Sequence, residues 1–302
     1  MLVFVTGATG FIGSAVVQEL IRAGHQVLGL ARSDKGASSL TSAGAEVHRG
    51  SLEDLQSLRS GAAAADAVIH TGFIHDFSKF AENCEIDRRA IEALGEVLAG
   101  SNRPLIVAAG LGGLSAPGQT ATENDVLPPD LPYPRVSEQT AMALLAKGVS
   151  SAVMRLPQVH NTVKQGLVTY AIAIARAKGV SPYVGDGQSR WAAAHVLDVA
   201  RLYRLALERH EPGARYHAVG EEGVRLRDIA EAIGRSLNAP VVSITPEEAP
   251  AHFGWMSMFA IHGIPASSAI TRKKLGWNPT GPSLLSDLEN MNYSALSEEK
   301  TA

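Results

Sequence analysis

The stretch TGATGFIG, residues 6–13, decides the fold of this chain. It lies between an apolar run that predicts a buried strand and a run whose apolar residues recur at helical spacing. At such a junction Gly7 permits a sharp strand-to-helix turn, and Gly10 lets the backbone approach a pyrophosphate because it has no Cβ. Gly13 lets the helix pack closely against the sheet. The N-terminus of that helix offers unpaired N–H groups and a positive dipole to phosphates, so the stretch predicts a dinucleotide-binding turn.

Beyond this turn, the first half of the chain alternates β-rich runs with helical runs. Regular alternation of helices with buried apolar strands predicts an α/β fold with a doubly wound parallel sheet, the Rossmann architecture. We expect a dinucleotide-binding Rossmann domain over residues 1–160 and a smaller, mainly substrate-binding C-terminal region over residues 161–302. Residues 190–210 are expected to return to the Rossmann domain. Six strands are predicted, at Leu2–Thr6, residues 25–31, residues 45–50, Asp66–Thr71, Pro104–Ala109 and Ser151–Pro157.

Composition narrows the class of protein. The chain has 302 residues, of which 45% are apolar, enough for a sizeable core. A net charge of −3 provides no electrostatic footprint for nucleic acid or an anionic membrane. Cys84 is the only cysteine, which excludes an internal disulfide and suggests a reducing compartment. The histidines show no metal-ligand spacing and no apolar run is long enough for a membrane span, so we expect a cytoplasmic protein without a metal.

The glycine spacing G-x-x-G-x-x-G resembles that of the short-chain dehydrogenase/reductase superfamily, in its extended or atypical, epimerase/dehydratase-like branch. Similar segments follow in order along nearly the whole chain: RGSLED (Arg49–Asp54), DAVIHTGF (Asp66–Phe73), VMRLPQVHN (Val153–Asn161), VGDGQ followed by HVLDVARL, and ITRKKLGWNPTG near the C-terminus. The resemblance implies a nicotinamide cofactor. The cofactor-binding residues that it implies are Gly7, Thr9, Gly10, Phe11, Ile12, Gly13, Ser51, Leu52, Thr71, Gly72, Phe73, Ala108, Pro157 and Val159.

The choice between NAD and NADP depends on the charge after the second strand. An acid at that place binds the ribose hydroxyls of NAD, whereas an arginine favours the 2′-phosphate of NADP. The chain reads LGLARSD there, with no acid before Asp34. Arg32 is able to form a bidentate pair with a phosphate, and Ser33 adds a hydroxyl. We therefore expect a preference for NADP(H), with NAD(H) as the alternative; Arg32 as an ordinary surface residue is the competing interpretation.

The catalytic residues of the superfamily are not retained. Its members use a Tyr-x-x-x-Lys pair, a serine or threonine after the fifth strand, and an asparagine. Here the stretch YPRVSEQ (Tyr133–Gln139) has no such lysine. One alignment places Pro134 at the tyrosine and Glu138 at the lysine, and the other places Ser137 at the lysine. Asp87 lies about where the asparagine is expected.

Three other groups are candidate proton donors. Tyr133 lies on the loop expected to enter the active-site region, His160 follows Pro157, and His75 follows the fourth strand. A histidine titrates near neutral pH, which suits acid–base work. Each also has a structural interpretation, as a packed loop aromatic or a hydrogen-bonded histidine. Arg135 is a weaker candidate for contact with the substrate, and so are Lys164 and Tyr170.

Three functions fit these observations. The first is an oxidoreductase that uses NADP(H) on a small, rather apolar carbonyl or alcohol substrate, with Trp191 and Trp255 as a candidate apolar wall. The second is a nucleotide-sugar epimerase or dehydratase. The third is a non-catalytic NADP-binding sensor or scaffold, which the missing catalytic residues favour. In each case a homodimer formed by the predicted helices at 84–99 and 135–147 is possible by resemblance to the family.

Overall fold

The structure, a computed structural model, describes residues 1–128 and 134–293. Its largest element is a seven-stranded sheet with the order β3-β2-β1-β4-β5-β6-β10. These strands are β1 (Leu2–Thr6), β2 (Gln26–Ala31), β3 (Glu46–Arg49), β4 (Ala67–His70), β5 (Leu105–Gly110), β6 (Ser151–Leu156) and β10 (Arg215–His217). The pairs β1–β2, β2–β3, β1–β4 and β4–β5 run parallel. The predicted Rossmann fold is confirmed.

Helices connect the strands of this sheet. They are α1 (Phe11–Arg22), α2 (Asp34–Ser42), α3 (Leu55–Ala64), α4 (Phe80–Leu98), α5 (Ser137–Ala143) and α7 (Val196–Glu208). The chain moves outward from β1 to β3 and then returns to β4 on the other side of β1. The strand order therefore reverses between β1 and β4, and ligands of open α/β sheets bind outside the carboxyl ends of the strands at such a point.

The chain divides into two compact units. The first consists of residues 1–109, 130–155 and 199–216, and the second of residues 110–129, 156–198 and 217–302. In the first unit, Phe4, Leu94 and Leu105 belong to one hydrophobic core and are fully buried. The predicted functional division at residue 160 stays a prediction.

The second unit contains two small sheets. Strands β7 (Gln158–His160), β9 (Arg190–His195) and β11 (Glu221–Arg225) form one, and β8 (Ser181–Val184) pairs in parallel with β12 (Val241–Ile244) in the other. Its helices are α6 (Gly166–Lys178), α8 (Leu226–Leu237), α9 (Ala249–Phe253), α10 (Ser257–His262), α11 (Ala269–Leu275) and α12 (Leu284–Glu289). Trp191, Ile233 and Met256 are buried in its core. Within the described residues no helix is long and apolar enough to cross a membrane.

Candidate functional site

The turn between β1 and α1 accepts only glycine at its critical positions. Gly7 has a φ of +66°, and a Cβ added to it would lie 2.6 Å from the backbone nitrogen of Gly72. A Cβ on Gly13 would lie 2.0 Å from the carbonyl oxygen of Gly7. Both clashes involve backbone atoms, which cannot rotate away. The turn therefore packs directly against both the start of α1 and the residues that follow β4.

The N-terminus of α1 is left open. Its cap residue Gly10 has an extended backbone and no side-chain cap, and the first turn of the helix carries no acidic residue. Thr9 and Gly10 are exposed, while Phe11 and Ile12 are half-buried. Unpaired N–H groups and the helix dipole favour an anion at such a position. These residues fit the pyrophosphate of a dinucleotide.

The loop after β2 lies beside this turn. A Cβ added to Gly36 would meet the methyl carbon of Thr9 at 3.2 Å. The hydroxyl of Ser33 accepts the backbone N–H of Gly36 at 3.2 Å and so caps α2. Arg32 is exposed and makes no hydrogen bond or ion pair with any described residue. Its guanidinium is available to a solute.

A second arginine lies close to the same loop. Arg49, at the end of β3, donates from Nη2 to the carboxylate of Asp34 at 2.6 Å. Asp34 is the residue directly after Ser33. One cationic group, Arg32, thus follows β2, and a second, Arg49, ends β3 and reaches the loop after β2. The sequence did not indicate this contact, because nothing local shows that Arg49 reaches that loop.

The residues that follow β3 and β4 surround the glycine turn. Thr71 donates its hydroxyl to the carbonyl of Thr6 at 2.8 Å. A Cβ on Gly72 would lie 3.0 Å from a methyl of Leu52. The hydroxyl of Ser51 accepts the backbone N–H of Asp54 at 3.3 Å. The predicted cofactor residues Leu52, Thr71 and Gly72 are therefore close to the turn in space, and their contact with a cofactor stays a prediction.

A buried hydrogen-bond network runs from β1 to α5 behind the turn. His70 contacts the hydroxyl of Thr6 through Nδ1 at 2.7 Å and a carboxylate oxygen of Asp87 through Nε2 at 3.1 Å. The hydroxyl of Ser137 donates to the other oxygen of Asp87 at 2.5 Å. All four side chains are buried. The backbone N–H of Gly72 donates to the Thr6 hydroxyl at 3.3 Å, which connects the network to the turn.

The direction of these bonds follows from the carboxylate. Burial by itself raises the pKa of Asp87, but the hydrogen bond and charge of His70 and the charge of Arg135 together hold its pKa below the ordinary value. Asp87 is thus ionised and accepts both bonds. His70 consequently donates from Nε2 and, when neutral, accepts the Thr6 hydroxyl at Nδ1.

Arg135 lies at the open end of the network. Its Nε donates to the hydroxyl of Ser137 at 3.0 Å, and its Nη2 lies 3.5 Å from the carbonyl of Ala108. Its guanidinium stacks over the ring of Phe73, 4.2 Å from the centroid. Phe73 comes shortly after β4 and Ala108 belongs to β5. The cation is therefore at the carboxyl ends of these two strands.

Glu138 has a different environment from the one the alignment with lysine suggests. It is buried and accepts from Nε and Nη2 of Arg155, at 2.8 and 2.6 Å, and from Nε of Arg215 at 2.8 Å. Arg155 belongs to β6 and Arg215 to β10. Glu138 therefore joins α5 to the edge of the sheet, which is a structural task.

Tyr133 and His160 are two of the candidate proton donors that the sequence predicted. Tyr133 falls outside the described residues. His160 is fully buried, with Nδ1 2.7 Å from Asp287 and Nε2 3.8 Å from Glu221. Burial lowers the pKa of His160 even though the nearby Asp287 raises it. These contacts fit a structural histidine, and its part as a proton donor stays a prediction.

Two more groups are poor acids or nucleophiles. Burial raises the pKa of Cys84 to about 11, so its thiol stays protonated. Burial also raises the pKa of the Tyr203 phenol far above its ordinary value, so Tyr203 does not replace the missing tyrosine. His75 packs its ring 5.2 Å from that of Phe73.

The remaining predicted residues belong to the second unit. Pro157 directly precedes β7 and Val159 belongs to it, and both are buried. Trp191, considered as part of an apolar wall, is instead a core residue whose indole donates to the carbonyl of Phe259 at 2.9 Å. Trp255 keeps 43% of its surface exposed and packs edge-on against Tyr170.

Comparison with known proteins assigns the family. Residues 3–219 match the NAD dependent epimerase/dehydratase family. The chain belongs to this family. An uncharacterized protein of Saccharomyces cerevisiae is 47% identical over 97% of this chain and 99% of its own.

Proteins with a named activity are similar to the chain at lower identity. The 4-hydroxy-2-methyl-3-oxo-4-farnesyl-3,4-dihydroquinoline-1-oxide ketoreductase of Stigmatella aurantiaca is 26% identical over 84% of this chain and 80% of its own. The UDP-glucose 4-epimerase of Thermotoga maritima has a TM-score of 0.74 and 20% identity, covering 96% of this chain and 97% of its own. That similarity of structure shows the fold.

Proposed function

We propose that this family member is an oxidoreductase that transfers a hydride between NADP(H) and a small, rather apolar carbonyl or alcohol compound. The observation that carries the proposal is the open N-terminus of α1 behind the Gly7–Gly13 turn. No side chain of residues 1–128 or 134–293 caps this helix, and Gly7 and Gly13 have no room for a Cβ. Such a turn is suited to bind the pyrophosphate of a dinucleotide.

The preference for NADP(H) rests on Arg32. Its guanidinium is exposed and has no partner among the described residues. The first acid after β2 in the sequence, Asp34, is paired with Arg49. A ribose 2′-phosphate gains charge-assisted hydrogen bonds from Arg32 and Ser33, whereas the hydroxyls of NAD meet no free carboxylate there.

The choice of carbonyl chemistry rests on a relative. A ketoreductase is among the proteins that resemble this chain. In the reducing direction the carbonyl carbon gains the hydride, its π electron pair moves to oxygen, and the oxygen then takes a proton.

Turnover with a panel of carbonyl compounds tests this proposal. The protein is mixed with NADPH and aldehydes, ketones and quinones, and the nicotinamide absorbance is followed. We expect oxidation of NADPH that depends on an apolar carbonyl. Binding of NADPH without turnover on any panel member would favour the sensor, and interconversion of UDP-glucose and UDP-galactose would favour the epimerase.

We also propose a cytoplasmic homodimer. The groove between α4 and α5 is lined by Glu92, Val136, Gln139, Thr140, Ala143, Leu144 and Lys147. The side-chain oxygen of Gln139 is buried there without a partner among the described residues. A second copy packed on this face would offer it one. Sedimentation equilibrium tests this, with a concentration-independent monomer as the contradicting result.

A further inference from the structure

We propose that Arg135 is the catalytic cation of this site: it binds the carbonyl oxygen of the substrate and stabilises the negative charge that forms there on hydride transfer. The inference rests on the proposed carbonyl reduction and adds the residue that replaces the missing tyrosine–lysine pair. Arg135 is half-buried, whereas the network behind it is fully enclosed.

The position of Arg135 supports this assignment. Its guanidinium lies over Phe73 and near the carbonyl of Ala108, at the carboxyl ends of β4 and β5. Ligands of open α/β sheets bind outside these strand ends. A cation anchored there meets the reacting end of a bound substrate rather than the adenine end of the cofactor, which belongs to the loops after β2 and β3.

Arg135 also keeps donors for a ligand. A guanidinium has five N–H donors. Arg135 uses one at Nε for Ser137 and one at Nη2 for Ala108. Nη1 makes no hydrogen bond with any described residue. A preorganised donor of this kind acts on charge that develops in the transition state without reorganising at that moment.

The buried network fixes the geometry of the cation. Ser137 accepts from Arg135 and donates to Asp87, and Asp87 also accepts from His70. Asp87 thereby places a negative charge behind Ser137 that balances the guanidinium. Through Thr6 and Gly72 the same network reaches the glycine turn. Ser137, Asp87 and His70 are positioning residues, since none of them is exposed to a substrate.

The chemical step balances without an acid in the protein. The reduced nicotinamide gives up a hydride, a C–H bond forms at the carbonyl carbon, and the carbon–oxygen π pair becomes an alkoxide lone pair. Arg135 binds that alkoxide by charge and hydrogen bonds. Because a guanidinium keeps its proton, water supplies the proton that completes the alcohol. The proposal thus accounts for an active enzyme that has no tyrosine–lysine pair.

Substitution of Arg135 tests the inference. Arg135→Met keeps an unbranched side chain that can pack on Phe73 but removes the charge and the N–H donors. We expect kcat for a carbonyl that the wild type reduces to fall by about 100- to 1000-fold, as for loss of one oxyanion donor. The dissociation constant for NADPH stays unchanged. Guanidinium chloride restores part of the rate of Arg135→Ala, and sodium chloride at equal ionic strength does not.

Three further variants distinguish a loss of catalysis from a general effect on the structure. Arg59→Met removes an arginine that pairs with Glu96 on the surface and serves as the control with wild-type kcat. In Arg135→Lys we expect kcat to fall at high pH as the ammonium loses its proton, a limb that the wild type lacks. Ser137→Ala lowers kcat while the KM for NADPH is unchanged.

The outcomes distinguish the two proposals. A wild-type protein that binds NADPH but reduces no carbonyl contradicts the proposed function. A wild-type protein that turns over while Arg135→Met retains the same kcat contradicts the role of Arg135 alone. Loss of activity with rescue by guanidinium supports both.

Discussion

Gly13 shows how one residue controls the site. A Cβ at this position would lie 2.0 Å from the carbonyl oxygen of Gly7 and 3.0 Å from the hydroxyl of Thr71. Even a methyl group fits only if the backbone of Gly7 moves away, and this movement opens the turn. The roles of the glycines in this turn could be predicted from the sequence, because their spacing marks the positions where two backbone segments approach each other closely.

We predict that Gly13→Ala destabilises the protein and weakens NADPH binding. The free energy of unfolding should fall by about 1–3 kcal/mol, as for overpacking in a close-packed interior. Chemical denaturation and NADPH titration measure the two effects. Gly24→Ala, whose Cβ meets nothing within 4 Å but has a φ of +85°, is the control that carries backbone strain without a clash. Equal NADPH affinity in Gly13→Ala and wild type would contradict the prediction.

His160 makes the stability of the fold depend on pH. Burial lowers its pKa in the folded state, whereas the unfolded chain restores the ordinary value of about 6.5. The stabilisation by neutral His160 is complete above that value and is lost as the pH falls below it, because the unfolded chain then takes up more protons. The groups around the ring are Asp287, Glu221, His195 and Asp198.

We therefore predict that unfolding becomes easier between pH 7.5 and pH 5, with a slope of at most about 1.4 kcal/mol per pH unit from this one proton. Burial raises the pKa of Glu221, which acts in the opposite direction on acidification, so the comparison is with His160→Gln. The variant should show a smaller loss of stability than the wild type over the same range. Parallel profiles measured by urea denaturation would refute the assignment to His160.

At the scale of elements, α5 is attached to the sheet through a buried ion pair. Glu138 on this helix accepts from Arg155 on β6 and Arg215 on β10. Removing the carboxylate takes away the negative charge to which both arginines donate, and breaking a buried ion pair in this way costs about 3–5 kcal/mol. The predicted alignment of Glu138 with the family's lysine missed this role, since the partners are far away along the chain.

We predict that Glu138→Gln lowers the free energy of unfolding by several times more than Glu96→Gln. Glu96 pairs with Arg59 on the surface, where an ion pair contributes about 0–1 kcal/mol. Urea denaturation of both variants provides the measurement. A double variant, Glu138→Met with Arg155→Met, should recover part of the loss. Equal effects of Glu138→Gln and Glu96→Gln would show that the buried pair is not needed.

The sequence predicted elements better than it predicted contacts between them. The strand predicted at Leu2–Thr6 has those bounds in the structure, and the strand predicted at Asp66–Thr71 runs from Ala67 to His70. Local periodicity and glycine punctuation suffice for such elements. The helix after the turn begins at Phe11, within the TGATGFIG stretch, because the extended Gly10 is its cap.

The hydrogen-bond network could not be predicted in the same way. Thr6 and His70 are 64 positions apart, and Asp87 and Ser137 are 50 apart. Only the tertiary fold brings them together. A signal was nevertheless present: Asp87 is an acid on the buried face of α4, and a buried carboxylate requires partners. One of those partners is Ser137, which in turn accepts a hydrogen bond from Arg135.

At the scale of the whole molecule, the fold and the family are established and the chemistry is a proposal. The chain belongs to the NAD dependent epimerase/dehydratase family and has the glycine turn, and its sequence contains no Tyr-x-x-x-Lys motif. Arg32 has no partner in the part of the chain that the structure describes, and Arg135 is anchored at the strand ends. Both are consistent with one site that binds NADP(H) and polarises a carbonyl. Both ideas require the cofactor to bind first.

Titration of the wild-type protein with NADPH and with NADH, followed by isothermal calorimetry at fixed ionic strength, tests the central claim most directly. We predict that NADPH binds more tightly than NADH by about tenfold or more, since a charge-assisted pair contributes about 1.5–3 kcal/mol. Arg32→Ala should remove this difference, and Arg59→Ala should not. Failure of the wild-type protein to bind either dinucleotide would contradict the account.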